Sequence, residues 1–313
     1  MNPEFKKVLK LYASVARQHS MFTKLLPEEL EIQSACYYIF FRMLDTIEDY
    51  DFAGSVKIRL FSEVKNNFFS GLESAAAEVL HTQPDIPKNY YNLFENIDFI
   101  MEISGKIGKD NAAEIAAAGR VMAGGMLEFI KKENSASDKK IFIADFAELE
   151  KYCYYAAGCV GELNFKLFEN AGAFDKNADI AELKKMASQL GNYVQMVNII
   201  RDLSEDRVND RRIYIPAELK EMSPVEQISK MIQFAVDKEA DCVQFIDKIK
   251  NHQIKKYCSV LFMIAKKHFD FYSENVEKLL RQKIKPPSMS MFLLLSLKLK
   301  LELVKYKIGK YLF

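Results

Sequence analysis

The chain has 313 residues, 49% of them hydrophobic and 28% charged, with 44 Lys plus Arg against 43 Asp plus Glu and a formal net charge of +1. That balance excludes a disordered, collagenous or disulfide-scaffolded chain, and it argues against a nucleic-acid surface as the main business. Only 12 Gly and 8 Pro are present, too few for the many turns of a β-rich or Rossmann-type chain.

Apolar residues recur at helical spacing almost throughout, which predicts helices at 4–19, 27–50, 55–80, 88–105, 109–132, 144–170, 178–208, 224–250, 252–282 and 289–308. The first carries Lys6, Lys7 and Lys10 without a long apolar core, so no secretory leader is expected there. The last includes the apolar run Met291 to Leu297 followed by a basic flank. That run is too short to span a bilayer, and reads either as a core helix or as a membrane-surface helix. The connecting segments TQPDIPK, ENSASDKK, AGAFDKNAD, VNDRRIYIP and KIKPP are short, and no period of 20–50 residues repeats. The expectation is one all-α domain over residues 1–313. The cysteines Cys36, Cys153, Cys159, Cys242 and Cys258 form no C-x-x-C pair, so neither disulfides nor a zinc knuckle is expected. A reducing, cytoplasmic location follows.

Two of these helices carry acidic stripes. In the 27–50 helix, Asp45 and Asp49 are four apart and share a face, about 6 Å from each other along the axis, with Glu48 leaning to the same side. Like charges at that spacing repel. In the 178–208 helix, Asn198, Asp202 and Asp206 step by four, with Gln195 near the upper end. Alone, either stripe would read as a solvated helix face. Both emerge from apolar helices, and facing each other they would set carboxylates on two walls of one apolar cavity. Mg2+ suits that arrangement, because it accepts a few carboxylates, keeps several waters and bridges to phosphates. The implied ligand is an apolar molecule with a diphosphate head.

Four blocks then resemble the squalene/phytoene synthase family, the head-to-head trans-prenyltransferases: HSMFTKLLP (19–27), YYIFFRMLDTIED (37–49), YCYYAAGCVGELNFKLF (152–168) and QMVNIIRDLSEDRVNDRRIYIP (195–216). The wording is similar to bacterial squalene synthases. The resemblance implies a single-domain isoprenoid-synthase helical bundle around a central apolar cavity. It implies that Asp45, Glu48, Asp49, Asn198, Asp202 and Asp206 hold Mg2+, and that His19, Ser20, Tyr38, Arg42, Gln195, Asn198, Arg212 and Tyr214 bind the substrate diphosphates. Tyr152 is implied in proton removal. By composition alone, Tyr152, Tyr154 and Tyr155 read equally as core aromatics. The small residues Ala156, Ala157, Gly158 and Gly161 read either as room for a prenyl chain or as close helix packing.

The implied reaction is the Mg2+-dependent condensation of two farnesyl diphosphates through presqualene diphosphate. Hydride from NADPH gives squalene, and its omission gives dehydrosqualene. The alternatives are a phytoene synthase acting on two geranylgeranyl diphosphates, a terpene cyclase, and a non-catalytic assembly protein of the same fold. The implied partners are prenyl diphosphates and no nucleic acid, with a peripheral membrane contact for product release. The chain is expected to be a monomer.

Overall fold

The computed structural model describes residues 2–16, 18–50, 52–82, 85–107, 109–135, 141–209 and 212–286; the side chains of 109–110, 141–142 and 205–213 fall outside that description. Its helices are α1 (Pro3–Val15), α2 (His19–Phe22), α3 (Glu28–Asp49), α4 (Gly54–Asn66), α5 (Phe68–Thr82), α6 (Lys88–Glu95), α7 (Ile97–Lys106), α8 (Lys109–Ser135), α9 (Phe146–Cys153), α10 (Cys159–Asn170), α11 (Ile180–Asn209), α12 (Pro224–Val236), α13 (Glu239–Lys248), α14 (His252–Glu274) and α15 (Val276–Leu279). This is the all-α architecture expected. Among the described residues, the one departure is a parallel pair of two-residue strands, β1 (Ile141–Phe142) and β2 (Arg212–Ile213), with Ile141 opposite Arg212.

Cap chemistry sets several helix starts. Asn2 accepts from Glu4 N ahead of α1, Asp145 from Glu148 N ahead of α9, and Asn251 from Gln253 N and Ile254 N ahead of α14. Ser223 and Glu226 form a reciprocal capping box at α12, with Pro224 in its first turn.

Five expected helices prove to be broken. The 4–19 helix ends at Val15, and His19 opens the separate α2. The 55–80, 88–105 and 252–282 helices divide at Asn67, Asn96 and Asn275. These asparagines leave helical geometry, at φ/ψ of −142°/108°, −111°/15° and −130°/30°. An Asn side chain competes for backbone hydrogen bonds, and Asn96 Nδ2 donates to Asn92 O at 2.8 Å. The 224–250 helix divides at Asp237 and Lys238. The 144–170 helix runs through, but winds as a π-helix over Tyr154–Gly158 between α9 and α10. The expected 289–308 helix lies outside the described residues.

α3 forms one wall of the interior. Ile39, Phe40, Met43 and Leu44 on it are fully buried, each worth roughly 1.5–3 kcal/mol on removal from water. It packs against α1, α6, α7 and α8, while α11 packs against α10, the π segment, α12, α13 and α14. The 154–170 segment crosses α11 at backbone contact. A Cβ added at Gly161 would stand 2.2 Å from Ala187 O, and one at Gly191 2.2 Å from Ala157 O. Close packing thus explains Gly161. No helix among the described residues is long and apolar enough to cross a membrane.

Candidate active site

Two cavities lie between α3 and α11. The outer, of about 780 Å3, is lined by Arg42, Asp45, Glu48, Asp49, Tyr152, Gln195, Asn198, Arg201 and Asp202, among others. The inner, of about 350 Å3, is walled mainly by apolar side chains including Phe41, Met122, Val160, Phe168, Leu190, Val194, Phe245 and Leu261. His19, Tyr38, Arg42, Asp45, Ala156, Gln195 and Asn198 border both. A charged mouth therefore opens onto a hydrocarbon-like interior, and both fall in the size range of small-molecule sites.

The mouth's first wall is the C-terminal end of α3, where the helix dipole disfavours carboxylates. Cations offset this. Arg42 Nη1 lies 3.3 Å from Asp45, and its Nη2 donates to Tyr38 Oη at 3.0 Å. Burial works against the Arg42 charge, but Asp45 and Tyr38 outweigh it and hold the guanidinium firmly protonated. Buried Lys57 caps the helix end by donating to Glu48 O at 2.5 Å. Asp49 is exposed and Glu48 buried.

The second wall belongs to α11. Arg201 grips Asp202 with two donors, at 2.8 and 2.5 Å, and Lys283 lies 2.7 Å from Asp202 Oδ1. Burial pushes the Asp202 carboxyl up, but these cations outweigh it and hold it below the usual carboxylate range. One turn back, Asn198 donates to Gln195 at 3.2 Å. The simple repulsion expected from the acidic stripes is thus replaced by pairing on both walls.

Tyr152 reaches the mouth from the end of α9. Its hydroxyl lies 2.9 Å from that of Tyr214, which follows β2. Backbone bonds from Ala217 N to Ile143 O and Glu218 N to Ala144 O pin the Tyr214 segment against the start of α9. The π turn that follows changes the helix phase. Tyr152, Tyr155 and Ala156 line the mouth, whereas Ala157, Val160, Gly161, Asn164 and Phe168 line the inner cavity. π turns are frequent at functional sites.

His19 stands where the cavities join, hydrogen-bonded to Tyr12 Oη at 2.5 Å and Tyr257 Oη at 3.2 Å. Burial pushes its imidazole down to about 4, so it is neutral at physiological pH. Ser20 is buried and borders neither cavity. The structure thus gathers His19, Tyr38, Arg42, Asp45, Glu48, Asp49, Tyr152, Gln195, Asn198 and Asp202 at one mouth, with Tyr214 beside them. The side chains of Asp206 and Arg212 lie outside the description. Sequence reading passed over Arg201, Lys283, Tyr12 and Tyr257. Arg201 adjoins Asp202 and Tyr12 precedes His19 by seven residues, so both were within local reach; Lys283 and Tyr257 come from distant segments and leave no local signal.

The donor set fits Mg2+ in chemistry: it consists of carboxylate and amide oxygens, with no thiolate. Arg42 Nε, buried at the same wall without a hydrogen-bond partner, fits an anionic group beside the metal. Among the described residues, no three His, Cys, Asp or Glu side chains stand close enough to share one ion. Each wall offers carboxylates that water and phosphate would have to supplement.

Helices enclosing an apolar cavity with a charged mouth define the all-α isoprenoid-synthase fold. The structure superposes on the complex of TcSQS with the ligand BPH1237 at a TM-score of 0.76, with 20% identity, covering 94% of this chain and 86% of that one. It superposes on a dehydrosqualene synthase in complex with ligand at 0.62, with 17% identity and 97% of each chain covered. More specifically, the chain belongs to the squalene/phytoene synthase family, whose family model matches residues 13–287. It is similar to the squalene synthase of Dictyostelium discoideum, 24% identical over 271 residues, covering 82% of this chain and 61% of that protein. The chain thus spans less than two thirds of the length of that relative.

Proposed function

We propose that the chain is a prenyltransferase that joins two farnesyl diphosphates head to head, through presqualene diphosphate, to squalene or dehydrosqualene. One observation carries the reading: Arg42, Arg201 and Lys283 stand among Asp45, Asp49 and Asp202 at a mouth that opens directly onto an apolar cavity. A diphosphate head and a prenyl tail need those two environments side by side. The relatives named squalene synthase and dehydrosqualene synthase support the choice of product class.

In this reading, Asp45, Asp49, Asp202 and Asp206 hold Mg2+, with Glu48 and Asn198 beside them. Bound there, Mg2+ supplies charge neutralisation to a departing diphosphate. The Arg42 fork matches two phosphate oxygens, and Arg201 and Lys283 hold the second head group. As the donor's C1–O bond breaks, the acceptor's C2–C3 double bond attacks C1, and proton loss closes the cyclopropane. Aromatic faces near the mouth stabilise the cation. The apolar inner wall keeps water from quenching it. Tyr152 is a phenol, and a phenol is a weak base. It therefore passes the proton on, with Tyr214 holding its hydroxyl and the released diphosphate as final acceptor. A second ionisation releases the remaining diphosphate and rearranges the skeleton; a hydride, were NADPH bound, would give squalene, and proton loss without it dehydrosqualene. The chain acts as one domain, which the continuous buried cluster from Val8 to Leu279 supports.

The test is incubation with farnesyl diphosphate and Mg2+, with and without NADPH, followed by product mass analysis. A C30 hydrocarbon is expected. A cyclised C15 product would make the chain a terpene cyclase. Turnover of geranylgeranyl diphosphate alone would make it a phytoene synthase, and no diphosphate release at all a non-catalytic protein.

A further inference from the structure

A line of five polar side chains runs along the wall where the cavities join. Tyr12 Oη lies 2.5 Å from His19 Nδ1, and His19 Nε2 lies 3.2 Å from Tyr257 Oη. Beyond Tyr257, Tyr37 borders the same inner cavity and donates to Asn164 Oδ1 at 2.9 Å. Each phenol carries one proton to donate, and burial pushes all three phenols up, so all keep it.

A neutral imidazole carries one N–H, so His19 donates through one ring nitrogen and accepts through the other. Between the two phenols it is a single neutral tautomer with both ring nitrogens engaged. Its ring stacks on Tyr38 at 5.3 Å with 24° between the planes, and Tyr12 meets Tyr38 edge-on at 5.1 Å. Tyr38 in turn accepts from Arg42. A ring bonded through both nitrogens cannot turn without losing a bond, so it makes a rigid support.

We infer that Tyr12 and Tyr257 are positioning residues: by clamping His19 in one tautomer they brace Tyr38, and Tyr38 aims the Arg42 guanidinium at the substrate diphosphate. The inference rests on the reading above, in which Arg42 binds diphosphate. It makes the first turns of the chain, through α1 and α2, part of the head-group site.

Tyr12→Phe and Tyr257→Phe each remove one hydroxyl and keep the ring, so the full chain is expected to fold, with unchanged circular dichroism. With 15N-labelled histidine, the imidazole nitrogen shifts of His19 in the wild-type chain should report one neutral tautomer at neutral pH. They should shift toward a tautomer mixture in either variant. Inorganic pyrophosphate with Mg2+, titrated calorimetrically, should bind about fivefold or more weakly to either variant, and KM for farnesyl diphosphate should rise more than kcat falls. A tautomer mixture or a doubly protonated ring in the wild-type chain overturns the clamp. Variants that bind pyrophosphate within about twofold of wild type overturn the positioning role. A wild-type chain that binds no pyrophosphate overturns the diphosphate reading of Arg42, and the nitrogen shifts still decide the clamp on their own.

Discussion

Lys283 Nζ stands 2.7 Å from Asp202 Oδ1 while Arg201 holds the other oxygen at 2.5 Å. A carboxylate gripped by two cations takes a metal only by exchanging partners. Charge balance at this wall must therefore change when Mg2+ and diphosphate arrive together. Lys283→Met should let the Asp202 carboxyl rise toward the ordinary range and should lower kcat/KM by about tenfold to a hundredfold, or roughly 1.4–2.7 kcal/mol. The melting temperature should move little, because the pair is partly solvated. Unchanged kinetics at limiting substrate would remove Lys283 from the site.

Asp45→Ala and Asp202→Ala should each cut turnover by more than about tenfold at saturating Mg2+, and chelation by EDTA should stop the wild-type reaction. Zn2+ should not be the preferred metal for an oxygen-donor site. The pairing also changes what these substitutions do to the fold. If repulsion between carboxylates dominated, removing one would stabilise the chain. With Arg42 on Asp45 and two cations on Asp202, each variant should instead lose about 1 kcal/mol. Urea unfolding decides: a rise in stability would restore the repulsion account.

Acid should destabilise the chain before its carboxylates titrate. Burial lowers His19 from 6.5 to about 4 and lowers His268 in the same direction. As pH falls through 6.5 the unfolded chain binds these protons, whereas the folded chain refuses the one at His19 until about pH 4. Stability is therefore full above pH 6.5 and falls toward pH 4, by at most about 3 kcal/mol for His19. Asp202, held below its ordinary 3.8, adds its own loss below that pH. His19→Gln should remove about one proton from the slope of unfolding free energy against pH in this window. Equal slopes would show that the imidazole titrates normally.

Sequence reading located the chemistry better than the joints. Asp45, Asp49, Asn198 and Asp202 announce themselves because a period of four on an apolar helix is a local property. The breaks at Asn67, Asn96 and Asn275 are hidden because the apolar period resumes at once on the far side, with no Pro or Gly to mark them. The π turn at Tyr154–Gly158 is hidden likewise, since one extra residue in a turn only shifts phase. It nonetheless decides that Tyr152 faces the mouth and Asn164 the interior. Lys283 and Tyr257 were out of reach for another reason: both owe their place to packing between segments far apart in the chain, α11 with the stretch after α15 and α2 with α14.

The same limit hides which aromatics form the cavity floor. Phe41 lines the inner cavity, and so does Phe168, whereas Phe165 lies against Phe174 with ring centroids 5.2 Å apart and borders neither cavity. Phe41→Ala and Phe168→Ala should therefore lengthen the cavity and admit a C20 diphosphate. Phe165→Ala should only destabilise, by about 3–5 kcal/mol. Product chain length and melting curves, measured on all three, separate the two effects. C20 turnover by the Phe165 variant alone would invert the assignment.

The meeting of Tyr152 and Tyr214 allows the proton step to be separated from packing. The hydroxyls lie 2.9 Å apart, the rings 4.8 Å, and Phe129 meets Tyr152 edge-on at 5.1 Å. Tyr152→Phe keeps the ring, and with it any attraction for a nearby cation, while removing the hydroxyl. Tyr214→Phe removes the other half of the same contact. If the two hydroxyls pass the cyclopropane proton as a unit, each single change should slow presqualene diphosphate formation by about a hundredfold, within the range of a general acid or base. The double change should then be little worse than either, because residues that act together are not additive. Inorganic pyrophosphate should still bind to all three variants. Leu at position 152 supplies the remaining comparison. Activity kept by Phe and lost by Leu would assign the effect to the ring face, and near-normal rates in every variant would leave both tyrosines as wall packing.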